Sequence, residues 1–169
     1  MQYANHLTTG DFGARSCQLL SSSSLIVLVG SGGPHSFSMK KLRVVNTKRL
    51  KIICELSFAA PIDKVETHGR TMAVGCDGEI FVYDLASMKL TLTLKDLPRK
   101  VMLHTCSNCG TFICYSDDAK PGSLIIYDSN LKKIIREINA HKSRVLLAKF
   151  SPDAEQISTA SEKVKARFK

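Results

Sequence analysis

His104-Thr105-Cys106-Ser107-Asn108-Cys109 puts one imidazole and two thiols within six residues, a set that could hold zinc. Structural zinc takes four ligands, supplied as two such pairs or as one pair with histidines at suitable spacing. Cys114 follows, but there is no second Cys-x-x-Cys pair, so the spacing argues against a metal. Gly30-Ser31-Gly32-Gly33 is rich enough in glycine to suggest a phosphate cradle. It lacks the Lys-Ser/Thr ending of such a loop and opens no helical pattern. Asp117-Asp118 is a pair of carboxylates in a turn and reads as solvated. Ser, His and Asp nowhere fall at a spacing that carries information. The residues point to recognition and not to catalysis, with no enzyme activity and no cofactor expected.

The elements that must position any such groups are written as a repeat. Gly78-Glu79-Ile80-Phe81-Val82-Tyr83-Asp84 returns 44 residues later as Gly122-Ser123-Leu124-Ile125-Ile126-Tyr127-Asp128. A weaker copy lies 38 residues upstream, where Leu42, Val44 and Asn46 stand for Ile80, Val82 and Asp84. Lys51-Ile52, Lys89-Leu90 and Lys133-Ile134 open the next strand on the same offsets, and Leu56, Leu94 and Ile138 close it. A period near 40 built from short strands is the signature of a β-propeller blade. The fold class expected is all-β: a partial β-propeller of about three to four blades of four-stranded antiparallel sheet. Cys76-Asp77-Gly78 carries the Asp-Gly signal of a tight hairpin, and Pro121-Gly122 is its counterpart in the next blade.

On this pattern residues 1–20 are a poorly defined N-terminal segment, possessing little periodicity. Residues 21–163 form an incomplete WD-repeat-like propeller with blades at about 21–57, 61–94, 100–138 and 144–163. Residues 164–169 form a divergent tail, without the glycine turn and apolar alternation that the repeat demands next. Two whole blades and two halves are too few for a ring, since closed propellers have about four to eight. The chain is therefore expected to be a truncated form.

Composition sets the remaining bounds. Apolar residues make up 44% and charged residues 23%, ordinary for a globular chain. The longest apolar run, Leu25-Ile26-Val27-Leu28-Val29, falls far short of the roughly 20 residues a membrane-spanning helix needs. Met-Gln-Tyr-Ala-Asn-His is not the start of a secretory signal, so a cytoplasmic protein is expected. Six cysteines in that setting read as reduced thiols. Trp is absent, and Tyr takes the place of the Trp in the Trp-Asp pair of many propellers twice. The net charge of +9 favours an anionic partner. Lys40, Lys41, Lys48, Arg49, Arg99, Lys100, Lys132, Lys133, Lys142 and Arg144 are spread over the turns. They form no single tract of the kind that marks a nucleic-acid arm, and no nucleic-acid partner is expected.

The fourth blade carries a specific resemblance. Ala140-His141-Lys142-Ser143-Arg144 leads into an apolar strand, followed by Ser158-Thr159-Ala160-Ser161-Glu162-Lys163. Upstream lie Leu20-Ser21-Ser22-Ser23-Ser24-Leu25, Ile53-Cys54-Glu55-Leu56-Ser57-Phe58 and Ile80-Phe81-Val82-Tyr83-Asp84. In their order and spacing these segments resemble the PROPPINs, seven-bladed propellers that bind phosphoinositides and act in autophagy. The resemblance covers roughly residues 17–163, corresponding to about the second to fifth blades of that family. It implies a protein recruited peripherally to preautophagosomal or endosomal/vacuolar membranes that carry phosphatidylinositol 3-phosphate or the 3,5-bisphosphate. It also implies other autophagy proteins as partners. Family members use two shallow basic pockets on either side of a Phe-Arg-Arg-Gly motif, because the planar arginine fork suits phosphate oxygens. That motif does not occur in this sequence. What the resemblance assigns here is one wall of the first pocket: His141, Thr159 and Ser161 as phosphate contacts, with Lys163 adding charge. This implies weakened lipid binding. The alternative is a propeller fragment that binds a protein partner and no lipid.

Overall fold

The computed structural model describes residues 13–20, 23–95, 97, 101–163 and 167–168. Among them every regular element is a strand. The chain divides into two compact units, Met1–Ile62 and Asp63–Lys169.

The first unit holds one four-stranded sheet in meander order: β1 (Ala14–Leu19), β2 (Leu25–Gly30), β3 (Lys41–Asn46) and β4 (Lys51–Ser57). Ile26, Leu28, Phe37 and Val45 form its small core, and the Arg43 guanidinium lies 4.2 Å over the Phe37 ring. The second unit holds two more such sheets. One is β5 (Ile62–His68), β6 (Thr71–Cys76), β7 (Glu79–Asp84) and β8 (Lys89–Leu94). The next is β9 (Val101–Cys106), β10 (Phe112–Asp117), β11 (Ser123–Asp128) and β12 (Lys133–Asn139). A three-stranded sheet follows, made of β13 (Val145–Phe150), β14 (Ile157–Ser161) and β15 (Arg167–Phe168).

The repeat survives down to single hydrogen bonds. Asn46, Asp84 and Asp128 end the third strand of each four-stranded sheet, and each carboxylate or amide oxygen caps the turn that follows. Asn46 Oδ1 accepts from the amides of Lys48 and Arg49 at 3.0 Å. Asp84 Oδ2 accepts from the amide and hydroxyl of Ser87, and Asp128 Oδ1 from the amides of Asn130 and Leu131. This Asx geometry is why the repeat ends in Asp or Asn. Six residues after Val44, Val82 and Ile126 the backbone turns left-handed, at Leu50, Met88 and Lys132. Each strand pair beside these turns slips register at the same place: Val44/Val45, Val82/Tyr83 and Ile126/Tyr127. The Asp77-Gly78 turn has positive φ at both residues, 46° and 78°, as the tightest hairpins require.

Packing in the second unit explains the nearly continuous apolar middle strands. Alternate residues of one strand face opposite sides of a sheet. On β10, Ile113 and Tyr115 join Ala73, Ile80, Val82 and Leu94 of the preceding sheet. Cys114, between them, joins Val145, Ala148, Phe150 and Ile157 of the following one. The middle sheet, β9 to β12, is thus covered on both faces, and β6 is buried along its whole length. The fourth strands are the exposed ones: Ile53, Leu90, Ile134 and Ile135 remain largely in contact with solvent.

Glu66 ties the first strands of these three sheets together. It is 5% exposed, and its carboxylate pairs with Lys64 at 3.2 Å and with Lys149 of β13. Lys64 in turn lies 3.5 Å from the His104 carbonyl of β9. Glu66→Gln keeps the volume and removes the charge. Both lysines retain partial access to water, so the expected cost is about 1–2 kcal/mol, below the 3–5 of a fully buried broken pair. A lowered urea midpoint would register it; an unchanged midpoint would mean that the carboxylate holds nothing together.

Three segments depart from the sequence expectation. Residues 14–19 form β1, so the first sheet has four strands and is not a partial blade. β1 is held by backbone pairing along β2, from Ser16↔Val29 to Leu19↔Ile26, and its mostly exposed side chains leave no apolar period to read. Arg167 and Phe168, in the stretch expected to diverge, pair with Thr159 and Ser158. His104 and Cys106, in a segment whose sequence places it at the loop between the first two strands of a blade, belong to the first of those strands, β9. The basic residues Arg99 and Lys100 lie outside the described residues, as do 164–166 of the tail.

Candidate functional site

The site residues lie on a connector and a strand end of the fourth sheet. The connector, residues 140–144, leaves β12 and crosses to β13. Gly122 holds its start: the Gly122 carbonyl accepts from the amides of Ala140 and His141 at 3.1 and 3.0 Å. The Pro121 carbonyl holds its end, accepting from the Val145 amide at 2.8 Å. On the other side, Arg144 O accepts from the Glu162 amide at 3.0 Å. The β13–β14 register then sets Val145 against Ser161 and Ala148 against Thr159.

This arrangement brings His141 to Thr159, with Nε2 and Oγ1 2.9 Å apart. His141 is half-buried and Thr159 buried. Ser161 lies two residues on, on the same strand face, and is also buried. Its hydroxyl donates to the Lys163 carbonyl at 3.4 Å. Lys163 is exposed, and its amide donates to Ser143 Oγ at 3.4 Å. Lys142 and Arg144 are exposed beside them, and Arg144 lies 3.5 Å from the Asp118 carboxylate. Of the four residues singled out from the sequence, the structure pairs His141 with Thr159 directly. It aligns Ser161 with Thr159 and leaves Lys163 at the rim. Ser143 and Gly122 were read only as parts of a motif and a turn. Gly122 acts through backbone contacts between sheets and Ser143 through its hydroxyl, and the sequence carries no signal for either beyond the Pro-Gly pair itself.

Chemically the cluster is a set of donors: an imidazole, hydroxyls, and three cations against the two carboxylates of Asp118 and Glu162. Such a set suits an anion with several oxygens.

The other candidates separate on geometry. Cys106 is buried with its thiol 4.0 Å from the Glu66 carbonyl, and burial pushes its pKa up to about 12. Cys109 is exposed, and the Thr111 hydroxyl 3.0 Å away holds its thiol below the ordinary range. The described residues include no group of three or more His, Cys, Asp or Glu placed to share a metal ion. Two concavities elsewhere in the second unit, of about 840 and 590 Å3, contain neither His141 nor Thr159. No helix of the described residues is long and apolar enough to cross a membrane.

Comparison with known proteins matches the PROPPIN family model to residues 14–167. Autophagy-related protein 21 of Pichia angusta is 31% identical over 163 residues, covering 90% of this chain and 42% of the relative. Autophagy-related protein 18 of Dictyostelium discoideum is 29% identical over 163 residues, covering 95% and 43%. A solved complex of KlAtg21 with the coiled-coil of AgAtg16 superposes with a TM-score of 0.66 at 33% identity, covering 90% of this chain and 50% of that one. Kluyvelomyces marxianus Hsv2 superposes equally well, at 0.66, with 13% identity, a likeness of fold alone. The chain spans about half the length of the relatives it matches, or somewhat less.

Proposed function

The chain belongs to the PROPPIN family of β-propellers, and from that premise we propose that it recognises phosphoinositide headgroups as part of the autophagy machinery, by binding and without catalysis. The observation that carries this reading is the His141–Thr159 pair at 2.9 Å, with Ser161 aligned beside it. It stands on the segment that resembles the family's first pocket. Imidazole and hydroxyl groups give direction to phosphate oxygens at short range, while Lys142, Arg144 and Lys163 supply charge. The ligand class is phosphatidylinositol 3-phosphate or the 3,5-bisphosphate. Recruitment would be peripheral, from the cytoplasm to preautophagosomal or endosomal/vacuolar membranes.

These 169 residues contain no Phe-Arg-Arg-Gly motif, so they supply one wall of the pocket and bind weakly. Basic residues near an anionic surface add about 1 kcal/mol each, an attraction that salt screens. Flotation with phosphatidylcholine vesicles doped with phosphatidylinositol 3-phosphate tests the reading, against phosphatidylserine vesicles of matched charge. The expected outcome is weak but selective flotation that His141→Ala and Thr159→Val reduce to the phosphatidylserine level. Equal flotation of both vesicle types by the unsubstituted chain would refute headgroup recognition by these residues.

A second reading has its own support. The solved neighbour at 33% identity holds a coiled coil of another autophagy protein. If this chain takes a protein partner and no lipid, binding to that partner survives His141→Ala and follows the basic turns of the earlier sheets.

A further inference from the structure

We infer that Gly122, on the sheet preceding the anion site, is a positioning residue for that site, acting through the backbone of His141. The inference rests on the headgroup reading above, and it concerns a residue that would touch no ligand. Glycine is not needed at 122 for its backbone angles, since its φ is not among the left-handed ones. It is needed for space. A Cβ built on Gly122 would lie 2.8 Å from the His141 carbonyl carbon and 3.3 Å from the Ser143 carbonyl oxygen. Both are backbone atoms, which cannot swing aside as the end of a flexible side chain could.

The close approach lets one carbonyl do two jobs. Gly122 O accepts from both the Ala140 and His141 amides, and the neighbouring Pro121 O accepts from Val145. Residues 140–145 are therefore pinned at both ends to the β10–β11 turn. Asp118 of the same turn adds its 3.5 Å pair with Arg144. His141 and Thr159 lie 18 residues apart on different elements, and the turn fixes one side of that pair while the β13–β14 register fixes the other. A side chain at 122 would push the connector away from the turn. The imidazole would leave Thr159 without any site residue having been changed.

Gly122→Ala in the full chain tests this. Two readouts apply: the NMR titration of the His141 imidazole in the absence of lipid, and flotation with phosphatidylinositol 3-phosphate against phosphatidylserine vesicles. The imidazole resonance and its titration midpoint are expected to move, and selective flotation is expected to fall about tenfold, with tyrosine fluorescence still reporting a folded second unit. Lys120→Gln serves as the control. Lys120 lies on the same turn but pairs outward with Glu137 at 2.8 Å, and its loss should change neither readout. An unmoved His141 resonance in Gly122→Ala, or an equal shift in Lys120→Gln, would overturn the inference. If Gly122→Ala does not fold, amide hydrogen exchange in the unsubstituted chain decides: the Ala140 and His141 amides, bonded to Gly122 O, are expected to be protected, and exchange at the rate of an open loop would overturn the inference. If the resonance moves while unsubstituted chain floats equally with both vesicles, the positioning stands and the headgroup reading fails.

Discussion

Leu124→Ala is expected to destabilise the second unit by about 2–5 kcal/mol. Leu124 is fully buried on β11. It packs in the cluster that joins Cys114 and Ile126 of its own sheet to Val145, Ala148, Phe150 and Ile157 of the next. Truncation removes apolar contact and leaves a cavity between two sheets that backbone pairing prevents from collapsing. Domains of this kind are stable by only about 5–15 kcal/mol, so the loss would be a large share of the whole. Urea unfolding followed by tyrosine fluorescence measures it: the chain has no Trp, and three of its four tyrosines, Tyr83, Tyr115 and Tyr127, lie in the second unit. Ile134→Ala on the exposed fourth strand, 56% accessible, is expected to change stability by less than about 0.5 kcal/mol. Similar midpoints for the two variants would mean that the sheets are not packed face to face as described.

The strand of Leu124 was legible in the repeat: the continuous apolar run Leu124-Ile125-Ile126-Tyr127 before Asp128 marks a strand covered on both faces. The exposure of Ile134 was not, since an apolar residue opens the fourth strand of each repeat as well. The capping Asn46, Asp84 and Asp128 were legible too, because turn chemistry is local. What the sequence could not carry depends on distant pairing. β1 has no apolar period of its own and takes its place from the backbone edge of β2. β15 is two residues long and exists only by pairing with Ser158 and Thr159. The family motif pointed to His141 and Thr159 as members of one site, but their contact depends on the connector's seat at Gly122. A glycine chosen for space looks the same in a sequence as one chosen for a turn. His104 shows the same limit from another side: read as a possible zinc ligand, it is a core residue whose environment comes from three sheets.

That environment predicts acid sensitivity. His104 is fully buried, with Nε2 2.8 Å from Ser116 Oγ and Nδ1 without a hydrogen-bond partner among the described residues. Burial, then the positive charges of Lys64 and Arg144, lower its pKa from 6.5 to about 4. The folded state therefore holds a neutral imidazole in a window where the unfolded chain takes up a proton. With more protons bound on unfolding, stability rises with pH across that window. On acidification the loss begins near pH 6.5 and is complete below about pH 4, and it amounts to roughly 3 kcal/mol at about 1.4 kcal/mol per pH unit. Carboxylates held below their ordinary range, such as Glu55 and Asp84, also lose stabilising interactions on acidification. The measurement is therefore a difference. His104→Gln keeps a polar group to face Ser116 and removes the titration. Urea midpoints for both proteins across this pH range should diverge, with the unsubstituted chain falling more steeply as the pH drops. Parallel curves would mean that His104 is protonated as readily in the folded sheet as in water, and that its burial carries no electrostatic cost.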